Sequence, residues 1–447
     1  MCAPVSFPRK LSGVEKGESC MKRKNVLMGS WMAAALFVFT AAPSRAQVSS
    51  DPRILINDPA VLDDSRATRW SGLLNNPSDP TDGAWHFGKL MTQMAGASDP
   101  SDFVMGWLQS WASNQNINGM IAPARPTVSQ IINGWPKVAG TTKLDLTKSP
   151  LRLLAIVNRL DLRFPRTTVS PLMPVQDAGE GRFIYGFFDP RNPGSAFQFT
   201  VILEYKLKAS NGGEVMDWAR GWHALASEVK GSEQFKVKLQ ALTDRFSGAG
   251  SPNELNGSAI GQVRTNEIHL SSPWELREFR LSFQPSTKTV RLQQSETTNS
   301  ASFSLSGTPA LGAFVSDHDR DLASDNFQLP KTYLGNSVLG ASSLNSLTPW
   351  VVPNVPDKPA PSLAAKANFA LESCNGCHGT STNTRFLHVG PRVLGQPSVL
   401  SRFLQGEITR RGNLLNAMVG SGTIKSASVS GVSGPETAQQ TPLGRVH

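Results

Sequence analysis

Apolar residues at Val104, Trp107, Leu108 and Trp111 recur at the spacing of one helical face, and the run is introduced by Asp99-Pro100-Ser101-Asp102. A capping side chain, a proline in the first turn and an acid near the positive end of the helix dipole mark a helix start. Two more aromatic stripes predict helices at about 213–227, through Val215, Trp218, Trp222 and Leu225, and at 233–246, through Phe235, Leu239, Leu242 and Phe246. Stripes at this spacing point to burial rather than to cofactor contact. Elsewhere the period falls to two. Phe197, Phe199, Val201, Leu203, Tyr205 and Leu207 alternate with mostly polar neighbours, which predicts an antiparallel strand with one buried and one wet face. Arg182–Phe188 reads as a second strand, and residues 279–283 and 289–292 flank a Pro285-Ser286 turn as a hairpin. Without regular strand–helix alternation or a glycine-rich phosphate loop, residues 47–345 are expected to form an α+β domain with an antiparallel sheet. Nothing in the pattern assigns that domain a function.

The patterning changes towards both ends. Residues 294–310 are Ser/Thr-rich and read as a loop or edge segment, and Pro349, Pro353, Pro356, Pro359 and Pro361 place an extended linker at 346–361. The remaining module, 362–420, is small enough to need a metal, a cofactor or a neighbour for stability. Residues 421–447, rich in Ser, Gly and Thr, are expected to be a loose tail. At the other end, Met21-Lys-Arg-Lys precedes the apolar stretch Val26–Phe39 and then Ser44-Arg45-Ala46. This is the layout of a secretory signal peptide over 21–46, cut after Ala46, and it places residues 1–20 upstream of the true start. The apolar stretch is shorter than the ~20 residues a bilayer span requires. No membrane span is expected after cleavage.

Processing alters the charge and the cysteine count. Residues 1–46 carry seven Lys/Arg and two Asp/Glu, so the mature chain keeps 37 basic and 32 acidic residues, a net +5 instead of +10. That mild excess, with no basic stripe, argues against nucleic acid as a partner. Cys2 and Cys20 leave with the processed segment, so Cys374 and Cys377 remain as one close pair followed by His378. An exported chain of this size with a single pair is not a disulfide scaffold. Ser362 can cap a helix whose inward positions are Leu363, Ala367, Ala370 and Cys374. At its end, Cys374-Asn-Gly-Cys377-His378 suits a covalent haem: two thiols meet two vinyl groups, and the adjacent imidazole lies beneath the iron. Zinc is a rival, with both cysteines and one or both of His378 and His388 as ligands, although adjacent ligands at 377 and 378 strain a tetrahedral site. A redox CxxC is a second rival, but it belongs at a helix start after a strand. Asp317-His-Asp-Arg-Asp321 has the look of a calcium loop without its glycine and final glutamate, and reads as a solvated loop. Asp177 and Glu180 in "DAGEGRF" read as turn-makers, and His223 as a helix-surface residue. No GxSxG, HExxH or Walker motif is present.

The segment 362–420 resembles a class I cytochrome c: Phe369 stands about a turn before the first cysteine, and Gly390-Pro391 with Val393-Leu394-Gly395 is similar to the GPxLxG element of that family. The resemblance implies a mainly α module with one haem c per chain, attached at Cys374 and Cys377. It further implies His378 as proximal ligand and the Pro391 carbonyl as the acceptor that orients it. The sixth ligand departs from the family pattern, in which a methionine precedes a final helix. Met418 is the methionine downstream of His378 and His388 competes with it, so metal ligation at His378 is joined by either Met418 or His388. On this reading the protein is a periplasmic one-electron carrier whose partners are a redox protein or a small-molecule donor or acceptor. The alternatives are a secreted binding or structural protein with a zinc-stabilised CxxCH module, and an oxidase- or peroxidase-like enzyme with an open haem site. "RLLAIVNRLDLR", "DAGEGRF", "RTNEIHL" and "WELREFRL" also resemble segments of uncharacterised secreted bacterial proteins that end in a CxxCH segment. No activity follows from that second likeness.

Overall fold

The computed structural model describes residues 50–163, 172–190, 194, 196–248, 258–271, 275–298, 300–324, 327, 329–344, 349–371, 373 and 387–421. The expected signal peptide, the Cys374-x-x-Cys377-His378 motif and the expected tail beyond Ser421 lie outside the described residues.

The frame is an antiparallel sheet built from β1 (Leu55–Ile56), β2 (Leu151–Arg159), β3 (Glu180–Phe188), β4 (Ala196–Lys206), β5 (Ile260–Glu267), β6 (Glu275–Gln284), β7 (Thr289–Ser295) and β8 (Ser343–Leu344). Strands β1 to β6 neighbour one another in chain order, and β6 pairs with both β7 and β8 along its far side. The expected hairpin is β6–β7, in which Leu281 faces Leu292 and Gln284 faces Thr289. With side chains alternating along each strand, the register sorts them onto two faces. Phe183, Leu203, Val263 and Phe279 share one face, while Arg182, Glu204 and Gln262 share the other.

The first face is covered by helices: α1 (Phe87–Ala95), α2 (Pro100–Gln109), α3 (Gly212–Ala224) and α4 (Glu233–Ser247). Their starts follow the sequence signals. Asp99 Oδ1 accepts from Asp102 N at 3.0 Å, Asn211 Oδ1 from Glu214 N at 3.1 Å, and Ser232 Oγ from Phe235 N at 3.2 Å. The aromatic stripes are core, as their spacing predicts: Trp111 lies 4.8 Å from Phe279, and Phe246 5.6 Å from Phe183, centroid to centroid. Gly181 makes the second contact possible, since a Cβ there would stand 2.5 Å from the Phe246 ring. Strand β4 departs from expectation in one respect: the polar side is not wet. Thr200, Ile202 and Glu204 are as buried as Val201 and Leu203 on the opposite side.

A smaller apolar cluster is made by α5 (Pro309–Asp317), α6 (Asp319–Ala323) and α7 (Leu363–Leu371), through Leu311, Phe314, Leu322, Ala365 and Phe369. Helix α5 begins inside the stretch read as a loop, where Thr308 Oγ1 accepts from Leu311 N at 3.3 Å. The described part of the proline-rich stretch is extended, and it is tied to this cluster: Trp350 packs on Phe303 and Phe369, and Ser316 Oγ donates to Pro359 O at 2.9 Å. Ser362 caps α7 as expected, but the buried side of the helix is rotated. Leu363 is 85% exposed and Ala367 is exposed, whereas Ala365, Asn368 and Phe369 point inward. Asn368 explains the rotation, because its Nδ2 donates to Leu322 O at 2.7 Å and satisfies the carboxyl end of α6. The segment 362–420, expected as one module, is thus divided among its described residues. Helix α7 belongs to the small cluster, while Val389, Leu400 and Met418 belong to the main core.

One histidine makes the helical layer acid-sensitive. His86 is buried at the N-terminus of α1, where Nδ1 accepts from Gly88 N at 3.1 Å, and burial with the nearby Arg152 charge pushes its pKa down to about 4. The unfolded chain, with a histidine near pH 6.5, binds this proton first, so the contribution of His86 is complete above that value and is lost as the pH falls towards 4. The shift corresponds to about 3 kcal/mol. His86→Asn keeps a capping acceptor and removes the titration. Urea titrations of the variant are expected to show a smaller loss of stability between pH 7 and pH 4 than the parent shows.

Candidate functional site

The second face of the sheet carries charge. Arg182 Nη1 lies 3.2 Å from Glu204 Oε1, and Gln262 Nε2 donates to Glu204 Oε2 at 2.5 Å. Arg264 Nη2 contacts Glu278 Oε2 at 3.2 Å, and Arg280 Nη2 contacts Glu278 Oε1 at 2.8 Å. The row crosses four strands, and Arg182, Glu204, Arg264 and Glu278 are all buried. Burial opposes the charge on Glu180, yet Arg182 and Lys206 hold its carboxyl well below the usual range. At Glu204, burial outweighs its arginine partners and raises the pKa. On the helical face a second group, Arg125, Glu267, Glu275 and Arg277, is also buried. Arg277 Nη2 and Arg125 Nη2 each lie 2.8 Å from Glu275 Oε2, and Trp111 Nε1 donates to Glu267 Oε1 at 2.6 Å.

The chain covers the charged face with its C-terminal part. Leu387 packs on Leu276 of β6, and the loop that follows is pinned to the β2 edge of the sheet. Arg392 Nη2 and Nη1 meet Asp63 at 2.6 and 3.1 Å, Gly395 N donates to Asp63 Oδ2 at 2.9 Å, and Ser398 Oγ donates to Leu154 O at 2.7 Å. Pro391, half-buried, sits in this loop beside Arg392. Helix α8 (Arg402–Ser421) then lies over the end of β2, clamped by charge. Arg159 Nε holds Asp161 Oδ1 at 3.0 Å, Arg411 Nε approaches Asp161 Oδ2 at 3.6 Å, and Glu407 takes Arg411 Nη2 at 3.2 Å and Arg410 Nη2 at 2.9 Å. Burial alone would raise the pKa of Asp161, but the two buried guanidinium groups hold it well below the carboxylate range.

Between cover and sheet is a cavity of about 480 Å³, counted out to its open mouth. Its walls are aliphatic, from Leu55, Val157, Ile184, Ile202, Val389 and Leu404, and its polar groups are Arg182, Thr200, Asn266, His388 and Arg411. Asn266 Nδ2 donates to Thr200 Oγ1 at 2.9 Å, while its carbonyl oxygen meets no donor among the described residues. His388 is 7% exposed, its Nδ1 lies 2.9 Å from Ser401 Oγ, and its ring centroid lies 5.1 Å from Phe403. Met418 faces elsewhere. It is 0% exposed and lines a separate space with Ile54, Asn158, Leu160, Asp161, Leu414 and Leu415, and Arg411 stands between the two cavities as a wall of both. It also lies in the last turn of α8.

Of the residues singled out from the sequence, His388 and Pro391 are thus brought to one loop, and Met418 to the core beside it. Cys374, Cys377 and His378 lie outside the described residues, between Ser373 and Leu387. Both flanks are buried, with Ser373 Oγ accepting from Trp350 Nε1 at 2.7 Å and Leu387 seated on β6. Asp177 makes a turn, taking Gly179 N at 2.9 Å, and Gly179 itself has a φ of +100° with no room for a Cβ beside Arg159 O. Glu180 belongs to the charged row rather than to a turn. Asp317 and Asp319 serve the smaller cluster, Asp317 with Lys358 and Tyr333 and Asp319 by accepting from Ser362 N at 2.7 Å. Among the described residues no group of three His, Cys, Asp or Glu side chains is placed to hold a metal ion, and no helix is long and apolar enough to cross a membrane.

The buried charge pairs were not foreseen, although their signature is in the sequence. Arg159/Asp161, Glu180/Arg182, Glu275/Arg277 and Glu278/Arg280 are opposite charges two residues apart, and each pair is hydrogen-bonded. In strands that spacing puts both side chains on one face. Removing one partner of such a pair leaves the other charge buried and uncompensated, a loss of about 3–5 kcal/mol. Asp161→Asn, which removes the carboxylate shared by Arg159 and Arg411, is expected to lower the unfolding free energy by about that amount in urea titrations and to speed proteolysis near α8. A surface change such as Lys148→Ala is expected to do neither.

No protein-family model, curated protein or solved structure matches the chain.

Proposed function

We propose that the protein is an exported c-type haem protein, active in the periplasm, that carries one electron on a single haem held by Cys374 and Cys377 with His378 as the proximal ligand. The observation that carries this reading is the motif itself: the two cysteines that survive signal removal stand three apart with histidine directly behind them. The surroundings support it. Both flanks of the motif are buried, at Ser373 and Leu387, so the segment is tethered at each end to packed structure. The residue after Leu387 is a buried imidazole on a cavity with mostly aliphatic walls.

A haem bound here supplies reversible one-electron chemistry at iron. The protein's part is to fix the imidazole of His378 through a second bond, for which the Pro391 carbonyl is the expected acceptor, and to keep water from the iron. The partner is a redox protein or a small-molecule donor or acceptor, reached through an exposed haem edge. The module boundary at 346–361 carries less weight in this reading than the cover formed by 387–421, since the described residues of that cover pack on the sheet of the large domain.

The test is chemical. Full-length protein exported with haem-attachment machinery is expected to keep its haem through acid-acetone extraction and to give a c-type pyridine haemochrome spectrum at one haem per chain. Cys374→Ala with Cys377→Ala is expected to abolish it. Stoichiometric zinc in place of haem would establish the zinc-stabilised module instead.

A further inference from the structure

We infer that the cavity between the sheet and its C-terminal cover is a binding site for a short, neutral aliphatic alcohol whose hydroxyl is taken by Asn266 and Thr200. The inference stands apart from the haem reading, because every residue it uses lies on the sheet or on the described part of the cover.

The polar end of the site is a pair of side chains on adjacent strands. Thr200 of β4 faces Asn266 of β5 in the register, and both are buried, at 1% and 4% exposure. Asn266 Nδ2 donates to Thr200 Oγ1 at 2.9 Å, while Asn266 Oδ1 meets no donor among the described residues. That bond uses the threonine oxygen as an acceptor, so its own proton is left for a further partner. A buried acceptor and a buried donor side by side call for one group that is both. A hydroxyl is such a group. Water meets the same two atoms, and the remaining walls separate the two occupants.

Those walls are apolar. Leu55, Val157, Ile184 and Ile202 come from the sheet, and Val389 and Leu404 from the cover, so a hydrocarbon tail leaves water there and a lone water molecule finds no further partner. Charge excludes an ionic ligand. Arg182 Nη2 lies 2.5 Å from Glu180 Oε2 and its Nη1 3.2 Å from Glu204 Oε1, and Arg411 Nη2 lies 3.2 Å from Glu407 Oε2. With each guanidinium already matched, an anion entering the cavity is buried without a counter-charge. His388 is engaged as well, with Nδ1 2.9 Å from Ser401 Oγ, and serves as wall. Because the volume of about 480 Å³ includes the open mouth, the enclosed part takes a chain of a few carbons and not a lipid.

The test uses the full-length exported protein, labelled at its isoleucine methyl groups and followed by NMR. The probes are two isomers, 1-butanol, which donates and accepts, and diethyl ether, which only accepts. 1-Butanol is expected to shift the Ile184 and Ile202 signals saturably in the millimolar range, to leave the exposed Ile121 in place, and to bind about tenfold more tightly than the ether. Asn266→Leu, similar in volume, is expected to abolish that preference by weakening the alcohol about tenfold. No saturable shift with either probe means that water alone occupies the cavity and overturns the inference. Equal affinities for the two isomers in wild type overturn it as well. If Asn266→Leu does not accumulate, the wild-type comparison decides alone. The readout is a methyl shift, so the result is independent of whether a haem is attached.

Discussion

Buried opposite charges constrain this protein, since the fold must keep them paired and covered. A sheet face carrying Arg182, Glu204, Arg264 and Glu278 is not stable in a dry setting unless each charge meets a partner, since an isolated buried ion costs several kcal/mol. It gains little from those pairs if left open to water, where exposed ion pairs contribute less than about 1 kcal/mol. The chain resolves this by returning its C-terminal part over the face. The return is itself fastened by charge, with Arg392 on Asp63 at one end and Arg411 and Arg410 on Asp161 and Glu407 at the other. Cover and sheet are therefore one cooperative structure.

Much of the helical layer was legible because its signals are local. The Asp99, Asn211 and Ser232 caps, the Trp107–Trp111 and Trp218–Trp222 stripes and the alternation of β4 each sit within a dozen residues, and each formed where expected. The two failures have a common origin. Glu204 and Thr200 look like the wet side of a strand, and only a cover from 200 residues away makes that side dry. Leu363 looks like an inward residue, and only the carboxyl end of α6, which needs Asn368, turns the helix. Long-range partners of this kind leave no periodicity. The charged pairs are intermediate: opposite signs two apart in "NRLD", "GEGR" and "ELREFR" announce one face of a strand, but not that the face is buried.

The candidate site divides in the same way. The proposed attachment residues are legible because covalent haem attachment needs Cys-x-x-Cys-His in one short run. The places of His388 and Met418 are not, because only the fold sets His388 on the covered cavity and Met418 in the core beneath α8. The four charged segments around Arg159, Glu180, Arg264 and Glu275 lie on strands β2, β3, β5 and β6 of the one sheet. In physical terms they specify that sheet and its buried ion pairs, which accounts for their carrying no catalytic motif of their own.

Intact mass spectrometry of the protein purified from the periplasm, before and after thiol alkylation, decides whether the proposed haem is there. A covalent haem in a processed, exported chain requires the mass of residues 47–447 plus one haem, with neither cysteine open to alkylation. The bare polypeptide mass with two alkylated thiols would overturn the proposal.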